Sequence, residues 1–91
     1  MSTEHIALLR ERIALVLAST EPKTRARNRA LAQIKWVLVA PDGSWVTLDG
    51  LRASLTTKRE DALVFDGRDN EDLKRQHYRA ALGVEVAVVL L

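Results

Sequence analysis

The chain has 91 residues, of which 47% are hydrophobic and 4% aromatic, and it carries a formal net charge of +2. This length and composition fit one soluble globular domain whose core is built from Leu, Val and Ala, and the absence of cysteine excludes disulfides, zinc–thiolate sites, iron–sulfur clusters and a cysteine nucleophile. Charges at residues 10–12 interrupt the first apolar run and no uncharged apolar stretch is long enough for a membrane span, so we expect a cytoplasmic protein without membrane contact.

The N-terminal segment has the spacing of an amphipathic helix, with Ser2 or Thr3 as its cap. One apolar stripe at helical spacing is expected to face the core: Ile6, Leu9, Ile13, Val16 and Leu17. Leu8 and Leu15 fall on the opposite side, within a near-repeat in which IALLRER is followed by IALVLAS. They are either ordinary exposed leucines or a second contact surface, which in a small chain often receives another copy of itself.

A basic stretch without any acid follows at residues 22–35. Its five cations are Lys23, Arg25, Arg27, Arg29 and Lys35. In an extended arm the first four would point the same way and could follow a phosphate backbone. Pro22 and the spacing of the small apolar residues instead favour a short helix from about residue 22 to 33, which splits the cations into repelling pairs. We favour a face that is solvated or paired within the chain, and nucleic-acid binding through these five cations is the alternative.

The middle of the chain changes to the two-residue period of strands. A three-stranded meander is predicted at residues 34–40, 45–48 and 51–55. The sequence PDGS at 41–44 suits a type I turn followed by a left-handed glycine, and the Asp-Gly pair at 49–50 suits a two-residue hairpin turn.

Two tryptophans flank the first predicted turn. Trp36 and Trp45 are expected to face each other across it. Such a pair either stiffens the hairpin or, if exposed, anchors a binding partner.

The last third of the chain alternates between strand and helix patterns. Thr57 and Glu60 have the spacing of a capping box, so one helical turn is expected there. Strands at 62–65 and 84–90 flank a helix at 70–82, for which Asp69 is the expected cap. One face of that helix is expected to meet the core, with Leu73, His77, Ala80 and Ala81 along it.

The strand–helix–strand order at the end resembles a βαβ crossover, which is right-handed when its strands are parallel. The predicted fold class is α+β: an N-terminal helix or helical hairpin, a β-hairpin or meander, then β-α-β, with one small sheet covered by helices. Residues 1–91 are expected to form a single small domain, with a helical region at 1–33 and an αβ region at 34–91.

Two groups of polar residues are candidates for chemistry. The acids in residues 66–72 do not match a calcium-binding loop, and a turn plus a helix cap explains them. His5 and His77 have no metal-ligand partner at helical spacing. We therefore expect no catalytic residue, no metal site and no cofactor, and a protein that is not an enzyme.

The predicted function is that of a small non-catalytic interaction or regulatory module. We expect a homo-oligomer that associates through its N-terminal helix, its apolar C-terminal strand or both. The expected interface residues are Leu8, Leu15, Trp36 and Trp45. A different protein could take the place of the second copy, and the alternative function is a nucleic-acid-binding accessory protein.

Overall fold

A computed structural model describes residues 3–91, so Ser2 lies outside the described part of the chain. The helices are α1 (Glu4–Ser19), α2 (Arg25–Ala32) and α3 (Glu71–Leu82). The strands are β1 (Lys35–Val39), β2 (Trp45–Asp49), β3 (Arg52–Thr56), β4 (Phe65–Asp66) and β5 (Ala87–Leu90). The predicted α+β class and the order of its elements are confirmed. No helix in residues 3–91 is both long and apolar enough to cross a membrane.

β1 is the centre of an antiparallel sheet and pairs with three other strands. Trp36 pairs with one residue of β4 and one of β5, and Val39 pairs with one residue of β2 and one of β5. Because a strand has only two edges, β5 occupies one edge of β1 while β2 and β4 share the other. β3 pairs with β2 and completes the predicted meander.

Both turns of the meander are present, and the second differs in detail from the prediction. In the first, the Gly43 N–H donates to the Ala40 carbonyl at 3.0 Å and Gly43 has a φ of 89°, as a type I turn with a left-handed residue after it requires. In the second, Asp49 pairs with Arg52, so the loop is residues 50–51 rather than 49–50. Only its first residue, a glycine, has a positive φ, which is the pattern of a type II′ turn.

All three helices pack on one face of the sheet. The core joins Leu9 of α1, Leu31 of α2 and Tyr78 of α3 to strand residues on that face. Leu38 and Val88 are directly opposite each other in the sheet and are both fully buried. The part of the chain that the structure describes is therefore a two-layer α+β arrangement, in which α1, α2 and α3 cover one sheet face and leave the other uncovered.

The two tryptophans lie on opposite faces of the sheet, which corrects the prediction that they face each other. Trp45 pairs with Val39, and Val39 is three positions from Trp36, so side-chain alternation separates the two indoles. Trp36 is 0% exposed, its ring lies 4.6 Å from that of Phe65, and its indole N–H donates to the Asp66 carbonyl at 2.9 Å. Trp36 therefore offers no surface to a partner.

β4, α3 and β5 have the predicted strand–helix–strand order, with β1 inserted between the two strands. Both strands are shorter than the predicted 62–65 and 84–90, because residues 62–64 and 84–86 are not in the sheet. Because β4 and β5 are both antiparallel to β1, they run in the same direction on its two sides. The close approach of Gly67 to α2 fixes the turn after β4. A Cβ atom there would lie 2.8 Å from the Leu31 carbonyl oxygen, which accepts the Gly67 N–H at 2.9 Å.

The N-terminus of α1 protects the outer edge of β5. Leu91 N–H donates to the Lys35 carbonyl, so the alternation of an antiparallel ladder turns the Leu90 N–H away from β1. His5 Nδ1 accepts that N–H at 3.0 Å. An apolar edge strand with free N–H groups is prone to pair with other chains, and this bond reduces that tendency.

Two predicted helix caps differ from those observed. Asn70 rather than Asp69 caps α3, because its side chain accepts the N–H of Leu73 at 3.1 Å. The helical turn expected near Thr57 is a 3₁₀ turn, Arg59–Asp61, which Lys58 precedes and which no side chain caps.

The buried face of α3 also differs from the prediction. Leu73 is 60% exposed, and the other residues expected on the core side are exposed as well. Tyr78 and Glu71 are buried instead. The reason is size, because one large aromatic ring removes more surface from water than a stripe made mostly of alanines. Tyr78 therefore sets the rotation of the helix.

Candidate interaction surfaces

The basic stretch is helical for most of its length. α2 begins after Thr24, whose hydroxyl accepts the Arg27 N–H at 3.1 Å. Lys23 precedes it with a positive φ of 57°. The helix distributes the cations around its axis, so the one-sided row of an extended arm does not form.

Arg27 is turned back onto the end of α1. Its Nε donates to the Thr20 hydroxyl at 3.1 Å, and its Nη2 donates to the carbonyl oxygens of Leu17 and Thr20 at 2.8 and 2.9 Å. The last carbonyls of a helix have no partner inside it, and a cation there also offsets the negative end of the helix dipole. Arg27 thus joins α2 to α1 and is engaged within the chain.

The other cations of the stretch point outward. Lys23, Arg25 and Arg29 are exposed and form no ion pair with any residue in 3–91. Lys35 is also exposed and lies opposite Asp66 in the sheet. We call Lys23, Arg25 and Arg29 the basic surface of α2.

Asp66 and Asp69 stabilise the turn that precedes α3. Asp66 forms an ion pair with Arg68 at 2.7 Å, and the hydrogen bond from that guanidinium holds the pKa of the carboxyl below its ordinary value. Asp69 accepts the backbone N–H of Asp66 at 2.9 Å. Asp66 and Asp69 thus form the predicted turn. The helix cap is Asn70 rather than an acid, so a turn and a cap do not explain Glu71.

Glu71 is buried between two arginines from different helices. Its carboxylate accepts from Arg10 Nε of α1 at 2.8 Å and from Arg75 Nε of α3 at 3.0 Å. The same two guanidinium groups line a surface depression of about 330 Å³ between the helices. The Glu71 carboxylate offsets the positive charge of both guanidinium groups. The cluster of Arg10, Glu71 and Arg75 therefore links α1 to α3.

The two histidines have different surroundings. His5 accepts the β5 N–H described above, whereas the exposed His77 ring stands edge-on against Tyr78 with centroids 4.8 Å apart. Burial raises the pKa of the Tyr78 hydroxyl above its ordinary value. Within residues 3–91, no three His, Asp or Glu residues are placed to hold a metal ion.

The outer side of α1 carries two leucines exposed to solvent. Leu8 is 44% exposed and Leu15 is 62% exposed, and their spacing of seven residues places them on one line along the helix. Leu17, which was predicted to face the core, is also exposed. At about 100° per residue, Leu17 lies at the margin of the buried stripe.

Between Leu8 and Leu15, one charged residue lies on each side of the line that joins the two leucines. At about 100° per residue, Glu11 lies roughly 50° to one side and Arg12 roughly 50° to the other. Both are exposed, and neither forms an ion pair with another described residue. We call these four residues the outer face of α1. The helical projection of the sequence already places Glu11 and Arg12 beside the leucines, but the predicted interface included only the leucines of this face.

The second apolar surface is the sheet face opposite the helices, the open sheet face. The pairing register places five apolar residues at its centre, beside polar residues of β2, β3 and β4: Val37, Val39, Trp45, Ala87 and Val89. Val37 is buried by its neighbours, and the other four are half-buried. β5 therefore contributes to this surface with one side and to the core with the other.

Comparison with protein-family models, with curated proteins and with solved structures gives no match for this chain. Its own geometry defines it as a two-layer α+β domain. Two apolar surfaces, the outer face of α1 and the open sheet face, and one basic surface on α2 are available for contacts.

Proposed function

We propose that this chain is a small non-catalytic interaction module that binds a second copy of itself, through the outer face of α1, the open sheet face or both. The observation that carries the proposal is the second apolar line on α1. A helix that packs one side on its own sheet needs one apolar stripe. Leu8 and Leu15 lie on the other side, where the structure shows them exposed.

The energy available from these leucines indicates a modest affinity. Full burial of a leucine contributes about 1.5–3 kcal/mol, so the exposed part of each side chain offers roughly 1 kcal/mol. Four such side chains in a dimer only approach the lower estimates of the cost of association. Additional contacts, polar or from the open sheet face, must therefore contribute.

The proposal of a non-catalytic role is supported by the contacts of the polar groups. Glu71 is paired with two arginines, Asp66 with Arg68, and His5 with the edge of β5. Each of these groups has a structural partner that explains its position. A catalytic acid or base would have to give up such a contact to act.

Sedimentation equilibrium over a wide concentration range tests self-association. The expected result is an average mass that rises with concentration from the single-chain value of 10.2 kDa toward twice that value. A mass that stays at the single-chain value up to the solubility limit would contradict the proposal.

A second candidate function, nucleic-acid binding, has support from the basic surface of α2. Lys23, Arg25 and Arg29 are exposed, and α2 contains no acidic residue. Arg27 is not available to phosphates, because its guanidinium group is bound to the end of α1. If the basic surface contacts phosphates, the double variant Arg25→Gln/Arg29→Gln should weaken binding at low salt and reduce its salt dependence.

The control for this test is Arg52→Gln/Arg59→Gln, which removes the same charge from exposed positions elsewhere. Gel-shift measurements with duplex and single-stranded probes give the comparison. Equal losses in the two double variants, or no shift for the unmodified protein at low salt, would exclude this function.

A further inference from the structure

We propose that two copies of α1 pair side by side in the parallel orientation, with Leu8 against Leu8 and Leu15 against Leu15. In this arrangement Glu11 of each copy forms an ion pair with Arg12 of the other. The inference rests on the proposed self-association and specifies its contact surface and orientation.

The first step is the symmetry of the outer face of α1. Leu8 and Leu15 form its centre line, and Glu11 and Arg12 lie at about equal angles on its two sides. The two charges also lie halfway between the leucines along the helix axis. A surface with an apolar line and opposite charges on its flanks is complementary to itself under a twofold rotation.

The second step is that Glu11 and Arg12 have no charged partner within α1. Helical ion pairs form between residues three or four apart. The residues three and four positions before and after Glu11, and likewise before and after Arg12, are all Ala, Leu or Val. The preceding residue, Arg10, shows the contrast, because it reaches Glu71 of α3 across the molecule.

The third step distinguishes the two orientations. In a parallel pair the twofold axis runs along the helices and brings the left flank of one copy to the right flank of the other. Glu11 then meets Arg12 twice. In an antiparallel pair equal flanks meet, so Glu11 would face Glu11 and Arg12 would face Arg12. Like charges at contact disfavour that arrangement, so charge complementarity identifies both the occupant and its direction.

The fourth step concerns space and affinity. The buried stripe of α1 is centred roughly 130° around the helix from the leucine line, so the two sheets lie on outer sides of the pair and do not collide. A helix of 16 residues is about 24 Å long. One such contact is smaller than a standard protein interface, so the dimer is expected to dissociate in the micromolar range or above.

Charge reversal tests the orientation directly. Glu11→Arg alone or Arg12→Glu alone converts two attractive contacts into two repulsive ones, and we expect the dimer dissociation constant to rise roughly 5- to 30-fold. The double variant Glu11→Arg/Arg12→Glu exchanges the charges and should return the constant to within about threefold of the original. Val89→Thr on the open sheet face is the control and should leave it unchanged.

Disulfide trapping gives an independent readout, because the chain contains no cysteine of its own. Leu8→Cys should cross-link to its own copy under mild oxidation. A mixture of Leu8→Cys and Leu15→Cys should give predominantly the two homodimers, whereas an antiparallel pair would give the mixed product. Circular dichroism of each variant checks that the fold is retained.

The outcomes separate this inference from the proposed function. A dimer that responds to Val89→Thr but not to the charge reversals would overturn the α1 pairing and leave self-association standing. A dimer weakened by the single reversals and not restored by the double variant would overturn the parallel orientation. A chain that is monomeric at all concentrations would overturn both proposals.

Discussion

α1 and α3 lie on the same face of the sheet, yet they are held there by different side chains. α1 contributes an aliphatic stripe that includes Leu9, which is fully buried. α3 contributes Tyr78 and a buried carboxylate, Glu71, while its Leu73 remains exposed. The comparison shows that apolar residues at helical spacing identify the buried side of a helix only when those residues have large side chains.

The two helices also differ in what they leave outside. Leu15 of α1 and Leu73 of α3 are almost equally exposed, at 62% and 60%. Leu15 has a second leucine on the same line and a charge on each flank. Leu73 has mostly small or polar neighbours on its exposed side. Similar exposure therefore predicts different behaviour, with association through Leu15 and none through Leu73.

The largest expected effect comes from the aliphatic side of α1. Leu9→Ala removes a fully buried side chain and leaves a cavity, so the free energy of unfolding should fall by about 2.5–5 kcal/mol. Leu73→Ala makes the same chemical change on the exposed side of α3, and we expect a change below about 0.5 kcal/mol. Urea unfolding followed by circular dichroism measures both, and equal losses would show that α3 is rotated differently.

An intermediate effect is expected from the buried carboxylate of α3. Glu71→Gln keeps the shape but leaves Arg10 and Arg75 without their shared anion, and we expect a loss of about 1–3 kcal/mol in unfolding free energy. Glu85→Gln is the control, because its ion pair with Arg79 is exposed and 3.7 Å long. If the unfolding free energies of the two variants fall by the same small amount in the same urea titration, the contacts of Glu71 do not hold α1 against α3.

A smaller effect is expected where α2 meets α1. Arg27→Gln removes three hydrogen bonds to the end of α1 and should cost about 0.5–1.5 kcal/mol. Arg25→Gln removes the same charge from an exposed position and relieves repulsion with Arg29, so its stability should be unchanged or slightly higher. The measurement is the thermal unfolding midpoint of the two variants under the same conditions. Equal destabilisation by Arg27→Gln and Arg25→Gln would contradict the capping role of Arg27.

Much of the fold could be predicted because it depends on neighbours in sequence. The turn at 41–44, the period of β1 and the inner stripe of α1 follow from local backbone preferences and residue spacing. The exposure of Leu8 and Leu15 follows from the same spacing. These features involve residues a few positions apart, which a single sequence displays directly.

The remaining features depend on partners that are distant in sequence. The separation of Trp36 from Trp45 follows from a register that places Trp45 opposite Val39, and a shift of one residue would reverse it. Glu71 meets an arginine 61 residues away, and Arg27 meets carbonyls of the preceding helix. Spacing within the sequence contains no information on such contacts. For this reason the sequence did not distinguish Arg27, which is bound within the chain, from the exposed cations of the basic stretch.

One measurement tests the central claim, that the chain associates through the outer face of α1. Sedimentation velocity at increasing concentration compares the unmodified protein with Leu15→Ser and Leu73→Ser, which alter leucines of matched exposure on the two helices. We expect the unmodified protein and Leu73→Ser to show the same rise in sedimentation coefficient, and Leu15→Ser to sediment as a single chain. A rise that persists in Leu15→Ser, or that is lost only in Leu73→Ser, would contradict the account.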